Sequence, residues 1–297
     1  MSWLFRNSEV AQRPAILYGA KRAESEPGRE AYGKTGMRRE KNGALINSLT
    51  DWERLAPPKH KSQWVEGRSA YELARAWCGT RGPAVPDGIR KILDSLELTR
   101  GLIIEQAYPE HRITFDSHGG EPRNADLAFV GHVGDSTIAV TIEAKADEAF
   151  GKTVAETVAT ALERAIQNPL SQGVRRVEHL VRALFTSRGD GQPKVSDLRY
   201  QMLTATAGTI AFAVAEEAAT AVLLVHEFVT NNTDDHLHAR NLEDFRAFLC
   251  RLGTLGPVPS DAATLAGPFV VPGEPLFHHV PPLYVGKVVT NTRGVCA

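Results

Sequence analysis

The stretch RNADLAFVGHVGDSTIAVTIEAKADEAFG, residues 123–151, carries most of the information about the fold. Its segment 138–146 has the composition of a β-strand. Because side chains alternate between the two faces of a strand, Ile138, Val140 and Ile142 share one face. The opposite face carries polar as well as apolar side chains, namely Ala139, Thr141, Glu143 and Lys145. The sequence therefore predicts a strand that ends with an acid and an amine on the same side.

A second acid, Asp126, precedes another short apolar run, Leu127 to Val130. If the two runs pair as a hairpin, the carboxyl groups of Asp126 and Glu143 can converge. Carboxylate oxygens bind hard divalent cations, and Lys145 could orient an attacking water or help to deprotonate it. The pattern predicts a metal-dependent hydrolysis site. The alternative is a surface ion pair at a strand end, because a Glu-x-Lys triplet often occurs by chance.

The composition is that of a soluble globular protein, with 297 residues, 42% apolar and 23% charged. A formal net charge of -1 shows no global basicity, although local patches matter more than the total for binding nucleic acid. The three cysteines, Cys78, Cys250 and Cys296, are too far apart to indicate a disulfide framework or a zinc cluster. With no apolar run long enough for a bilayer and no signal peptide, we expect a cytoplasmic protein without membrane contact.

The first 62 residues differ from the rest, because they contain 12 Lys and Arg against 7 Asp and Glu. They are polar and lack a hydrophobic period, which predicts a flexible basic arm at 1–62. Such an arm could contact phosphate, dock a protein partner, or simply be a solvated tail. The remaining part, 63–290, is predicted to be one α/β domain, including a proline-rich C-terminal extension.

The predicted elements of this domain alternate between helices and strands. A capping box at Ser69 and Glu72 indicates a first helix. Further helices are predicted at 153–167, 198–219 and 242–252, and further strands at 102–106, 112–115 and 221–229. This alternation favours an α/β sandwich around one mixed sheet. His226 lies inside the last of these strands, where we expect a core histidine and not a metal ligand.

The predicted order of elements resembles that of the PD-(D/E)XK, or restriction-endonuclease-like, nuclease superfamily. This order is helix, strand, strand with Asp126, strand with Glu143-x-Lys145, helix and strand. One departure is that Asn124-Ala125 stands where that superfamily often has a proline before the acid. The chain is also similar to a family of uncharacterised bacterial proteins with a restriction-endonuclease-like domain. The matching pieces, within about 65–290, are Ser69–Ala74 with Trp77, Asn124–Leu127, Ile142–Lys145 with Glu148–Gly151, Leu198–Gln201 with Leu203, Leu224–His226 with Phe228, and Leu283–Gly286.

This resemblance implies a restriction-endonuclease-like mixed central sheet flanked by helices. It also implies hydrolysis of nucleic acid phosphodiesters, with DNA as the expected partner and a role in bacterial defence or DNA processing. Asp126 and Glu143 would bind Mg²⁺ or Mn²⁺, and Lys145 would position the attacking water. The competing hypothesis is a catalytically silent nuclease-like fold that acts as a binding or assembly module. In this hypothesis the N-terminal arm docks a partner, and the basis is the near-neutral charge, which leaves no obvious groove for a long polyanion.

Members of the superfamily often add an acid from the first helix, and Glu72, Asp94 and Glu97 are all eligible here. Glu72 has a competing structural task, because the acid of a capping box bonds to the start of its own helix. Glu148 lies three residues after Lys145 and could either join the site or cap the helix that begins near Thr153. The sequence leaves both choices open.

Two polar residues, Arg199 and Gln201, lie at the start of the helix predicted at 198–219. Arg199 could contact a phosphate group, and Gln201 could contact the attacking water or the metal shell. Residues two apart do not share a face of a helix, so we expect at most one of them to point inward.

Overall fold

A computed structural model describes residues 37–79, 84–254 and 264–294 of the protein. The strands of this part are β1 Arg38–Lys41, β2 Ala44–Leu45, β3 Ile103–Ile113, β4 Arg123–Val133, β5 Ser136–Lys145, β6 Thr220–Val229, β7 Ala266–Phe269 and β8 Leu283–Asn291. The α-helices are α1 Leu49–Leu55, α2 Ser69–Cys78, α3 Asp87–Asp94, α4 Val154–Gln167, α5 Gly173–Leu184, α6 Tyr200–Ala215 and α7 Asp235–Leu252. One sheet contains all of these strands, in the order β2-β1-β3-β4-β5-β6-β8-β7.

The sheet is mixed. β4 is antiparallel to both β3 and β5, whereas β5, β6 and β8 run parallel to one another. The predicted hairpin is therefore present, and Leu127 on β4 lies opposite Ile142 on β5. All residues of β6 are buried, as expected for a central strand of a sheet with both faces covered. The predicted α/β class and the mixed sheet flanked by helices are confirmed.

Helices cover both faces of the sheet. On one side, α2 and α3 pack on a core that includes Ile138, Val140 and Ile142. On the other side, α5, α6 and α7 pack on a core that includes Ala139. On that same side, Thr141 forms a hydrogen bond of 2.5 Å between its hydroxyl and that of Thr209 on α6. The alternation predicted for β5 is confirmed, and it aims Glu143 and Lys145 at the side covered by α6.

Several element boundaries differ from the prediction. The two strands expected at 102–106 and 112–115 are one strand, β3, which passes through Pro109. Proline is tolerated there because, among the described residues, β1 pairs with Gln106 and Ala107 only, so that Pro109 lies beyond the β1 ladder. Helix α7 starts at Asp235, seven residues before the predicted start at 242, because Asp234 caps it through a hydrogen bond to the amide of His236.

The described part of the predicted basic arm, residues 37–62, belongs to the domain. β1 pairs with β3, and Ile46 and Trp52 are buried in the core. Arg39 is only 2% exposed, and its guanidinium donates to the backbone carbonyls of Ile46 and Trp77. The sequence placed these residues in the arm because β1 and β2 are too short to show a strand pattern. The basic residue Arg39 also gave no sign that it is buried. Residues 1–36 of that arm lie outside the described residues.

The C-terminal extension also joins the sheet, because β8 is the parallel neighbour of β6. Cys78 and Cys250 are free thiols, whereas Cys296 lies outside the described residues. No helix in the described ranges is both long and apolar enough to span a membrane.

Candidate active site

A cleft of about 1130 Å³ opens at the carboxyl end of β5. Its walls come from β4, β5, the loop at 117–121, α4, the start of α5 and the start of α6. Charged and amide side chains that line it are Gln63, Glu121, Asp126, Glu143, Lys145, Glu148, Lys152, Arg164, Asn168, Gln172, Arg176 and Gln201. The structure therefore brings five of the residues selected from the sequence into one cleft: Asp126, Glu143, Lys145, Glu148 and Gln201.

The end of the β4–β5 pairing positions the three central residues. The β4–β5 pairing ends at Leu127 and Ile142. Beyond this pair, the side chain of Asp126 accepts a bond from β5 in place of a backbone carbonyl of β4. Its Oδ2 accepts a hydrogen bond of 2.7 Å from the amide of Ala144. Glu143 and Lys145 are 2% and 3% exposed, so both charged groups are buried. Buried charges require partners, which these residues find in each other.

Glu143 is the most heavily bonded acid of the cleft. Its Oε1 accepts from Lys145 Nζ at 2.6 Å and from the side-chain amide of Gln201. Its Oε2 forms an ion pair with the guanidinium of Arg123, the first residue of β4. Two cations therefore neutralise one carboxylate, which offsets the cost of burying it.

Burial shifts the pKa values of two groups in the cleft. It lowers the pKa of Lys145, although the negative charges of Asp126 and Glu148 oppose this change. Burial raises the pKa of Glu148, opposed first by the charge of Lys145 and then by the hydroxyl of Ser69. An amine with a lowered pKa and a carboxyl with a raised pKa in one cleft are typical of groups that exchange protons during catalysis.

Glu110 on β3 is a residue that the sequence interpretation did not select. Its backbone has φ +50°, a left-handed conformation that is unusual for a residue with a side chain. Its carboxyl accepts a hydrogen bond from the side-chain amide of Asn124. Burial, together with the charge of Asp126, raises the pKa of Glu110 to about 8. Glu110 was missed because residues 102–115 were divided into two strands, which placed it in a supposed turn.

Glu110 predicts a pH dependence of stability. A carboxyl whose pKa is higher in the folded chain stabilises the fold at low pH, and this contribution falls as the pH rises from about 4.5 through about 8. In Glu110→Gln, the free energy of unfolding should fall less steeply with pH across that range than in the wild type. The two slopes should differ by up to about 1 kcal/mol per pH unit. Urea unfolding at several pH values measures the slope. Glu105→Gln, an exposed acid on β3, is the control, and equal slopes for both variants would contradict the prediction.

Glu72 and Arg199 have structural partners elsewhere. Glu72 accepts from the amide of Gly67 at 2.9 Å and pairs with Arg75 at 2.6 Å. The predicted capping box at Ser69 is wrong, because Arg68 is the N-cap and Ser69 is the first residue of α2. The Nε of Arg199 pairs with Asp244 on α7 at 2.8 Å.

Arg199 nevertheless influences the cleft through its position. It is the N-cap of α6, and its Nη1 donates to the carbonyl of Gly151 at 2.9 Å. The backbone of Tyr200 also donates to the carbonyl of Lys152. These contacts tie the start of α6 to the segment after β5 and so hold Gln201 against Glu143. Of the two residues, Gln201 is the one that lines the cleft.

The structure also separates the two interpretations of Glu148. Thr153 caps α4 through the amide of Glu156, and the carboxylate of Glu156 accepts from the amide of Thr153 at 2.7 Å. Glu156 thus fills the role of capping acid. Glu148 lines the cleft instead, next to Lys145.

The oxygen and nitrogen donors of the structure show how well it could hold a metal ion. Across residues 37–79, 84–254 and 264–294, no group of three or more His, Cys, Asp or Glu side chains is arranged to hold a metal ion. Two carboxylates, Asp126 and Glu143, still suit Mg²⁺, which often keeps several waters and takes one or two carboxylates from the protein. Because Lys145 and Arg123 contact both oxygens of Glu143, a metal ion there would have to replace one of these contacts.

A second group of buried charges adjoins the cleft on β6 and β8. Glu227 is the neighbour of Lys145 in the β5–β6 register. Its carboxylate is fully buried and lies 2.6 Å from Lys287 Nζ and 2.9 Å from His238 Nδ1. Asn241 donates to Glu227 at 3.2 Å and to the carbonyl of Glu148 at 3.1 Å. Buried charges therefore alternate in sign across the three parallel strands.

Two residues of β6, His226 and Glu227, interrupt its apolar sequence for different reasons. The Nε2 of His226 is 2.8 Å from the hydroxyl of Thr290, and burial lowers the pKa of His226 to about 3. The prediction of a core histidine is confirmed. Glu227 was missed, and the only signal in the sequence was an acid within an otherwise apolar strand.

Together, the fold and the cleft define an α/β protein with a mixed sheet and a charged cleft at the end of a central strand. The chain belongs to a family described as a domain of unknown function, DUF6946, whose profile matches residues 45–290. No curated protein matches the chain. No solved structure matches it either.

Proposed function

We propose that this protein is a metal-dependent phosphodiesterase with a restriction-endonuclease-like fold that hydrolyses nucleic acid, with DNA as the expected substrate. The observation that carries this proposal is that Asp126, Glu143 and Lys145, from two paired strands, line one cleft. Their order along the chain and the helices on both faces of the sheet resemble the PD-(D/E)XK superfamily. The amide of Gln201 on Glu143 adds a further polar contact to the same site.

In this mechanism Asp126 and Glu143 would hold Mg²⁺ or Mn²⁺. The bound metal would polarise the phosphate and lower the pKa of the attacking water. Lys145 would orient that water, and its lowered pKa gives it a larger neutral fraction, able to accept a proton, than an exposed lysine has. Glu148 lines the cleft near Lys145, where a carboxyl with a raised pKa can hold a proton.

Basic side chains in the cleft support a phosphate-containing substrate. Three of them come from the segment before α4, from α4 and from α5, namely Lys152, Arg164 and Arg176. The Nε of Arg176 forms an ion pair of 2.8 Å with Oδ2 of Asp116, and its Cζ lies 4.9 Å from the centre of the Phe115 ring. These two contacts fix its position. A nucleic acid backbone could bind to such a local patch even though the net charge of the chain is -1.

One observation favours the second candidate function, a catalytically silent nuclease-like fold that binds or assembles. The amine of Lys145 is buried in an ion pair with Glu143, and Arg123 pairs with the other oxygen of that acid. In this arrangement Glu143 has no oxygen without a cationic partner. A protein that only binds nucleic acid or another protein could keep these pairs permanently.

Cleavage assays distinguish the two functions. The purified chain is incubated with single-stranded DNA, double-stranded DNA and RNA, with Mg²⁺, Mn²⁺ or EDTA. Metal-dependent cleavage that disappears with EDTA and in Asp126→Asn is expected. Glu178→Gln, an exposed acid on α5, should cleave like the wild type. Binding of a nucleic acid without cleavage under every condition would support the binding module and reject the phosphodiesterase.

A further inference from the structure

Arg123 occupies a position at which the proposed function would require a different cation. Its guanidinium contacts Oε2 of Glu143, and its side chain is only 14% exposed. Two further acids, Asp126 and Glu110, lie near enough to oppose the lowering of the Arg123 pKa that burial causes. Among the described residues, Arg123 Nε is buried without a hydrogen-bond partner. One carboxyl group therefore contacts the guanidinium directly, and the negative charges of two more act on it.

Helix α6 is shaped to accept this arginine. A Cβ atom added at Gly208 would lie 3.1 Å from Cγ of Arg123 and 3.7 Å from its Cβ. Ala205, another small residue of α6, lines the same small space as Arg123 and Glu143. The space that these two residues leave accommodates the aliphatic part of the arginine. The packing of α6 therefore fixes the guanidinium beside Glu143.

A guanidinium and a divalent metal ion seek the same ligand, because both bind the oxygens of an ionised carboxylate. They cannot occupy the same side of Glu143 together. We infer that Arg123 is a built-in competitor of the divalent metal at Glu143, and that it weakens metal binding by this site. The inference rests on the proposed function only in taking Asp126 and Glu143 as the metal ligands.

The test measures Mn²⁺ binding to the full chain by calorimetry, without nucleic acid. Arg123→Met keeps most of the side-chain volume but removes the charge, and should bind Mn²⁺ about tenfold more tightly than the wild type. Adding Glu143→Gln to this variant should abolish the gain, which locates the ion at Glu143. Arg75→Met is the matched control, because Arg75 is also a partly buried arginine paired with a buried acid, Glu72, but is not one of the residues that line the cleft, and the affinity of this variant should not change.

Chemical competition provides a second measurement. In Arg123→Ala, guanidinium chloride at low millimolar concentration should weaken Mn²⁺ binding, whereas equal concentrations of urea and sodium chloride should not. Melting curves and circular dichroism verify that each variant is folded. If neither Arg123 variant folds, Gly208→Ala retains the arginine but crowds its Cγ, and should also tighten Mn²⁺ binding.

The possible results separate this inference from the proposed function. Equal or weaker Mn²⁺ affinity in the folded variants, or no effect of guanidinium, would overturn the inference. Tighter Mn²⁺ binding without cleavage by any variant would support it and reject the phosphodiesterase. Cleavage with unchanged Mn²⁺ affinity would reject only the role assigned to Arg123.

Discussion

Replacing Lys145 by methionine should lower the rate of phosphodiester cleavage by about 10²- to 10⁴-fold. The variant loses the ammonium group that would orient the attacking water, but retains a long side chain beside the ring of Phe150. The fold should survive because Glu143 keeps its ion pair with Arg123. The expected defect is therefore in the chemical step, and single-turnover cleavage with saturating Mn²⁺ measures it.

Lys152→Met is the control for Lys145→Met. Lys152 lines the same cleft, but its amine bonds to the hydroxyl of Thr160 on α4 at 3.0 Å. Its loss should weaken substrate binding at most modestly and leave the single-turnover rate near that of the wild type. Wild-type rates in Lys145→Met, or equal losses in both variants, would contradict the role proposed for Lys145.

The second large effect concerns stability. Lys287→Met should lower the free energy of unfolding by about 3–5 kcal/mol, because it leaves the buried carboxylate of Glu227 without its ammonium partner. In the double variant Glu227→Gln with Lys287→Met, no uncompensated charge is left at this pair and much of the loss should be recovered. Urea unfolding of both single variants and the double variant gives the coupling energy between the two residues.

The control for this cycle is an exposed pair. Arg182 and Glu178 lie 3.4 Å apart on the surface of α5, and both side chains are more than half exposed. Arg182→Met should cost less than about 1 kcal/mol, since solvent screens such pairs. A loss for Lys287→Met no larger than that for Arg182→Met would show that the buried pair contributes little.

The elements that the sequence predicted well have strong local periods. One face of β5 carries Ile138, Val140 and Ile142, the helix α4 begins at a capping threonine, and the strand β6 is almost entirely apolar. The acids and the lysine of the site could be selected because they lie next to the apolar runs of β4 and β5. Their convergence required only the pairing of neighbours in the chain, β4 with β5.

The residues that were missed depend on pairing between distant segments. Glu110 comes near Asp126 only because β3 pairs with β4, and Glu227 comes beside Lys145 only because β6 pairs with β5. Arg123 was part of the stretch that decided the fold, but its contact with Glu143 depends on the space that α6 leaves at Gly208. A local pattern contains none of this information, because each contact is set by the register of the whole sheet.

The pairing of β1 with β3 matters for the solubility of shortened chains. A protein that started at residue 63 would lose β1 and the buried guanidinium of Arg39, which leaves the carbonyl of Trp77 without this donor. The outer side of β3 would then present backbone amides and carbonyls to solvent. Unprotected edges of this kind act as templates on which other chains add as strands, and so promote aggregation. We therefore expect a chain that begins at residue 63 to aggregate more readily than the full chain.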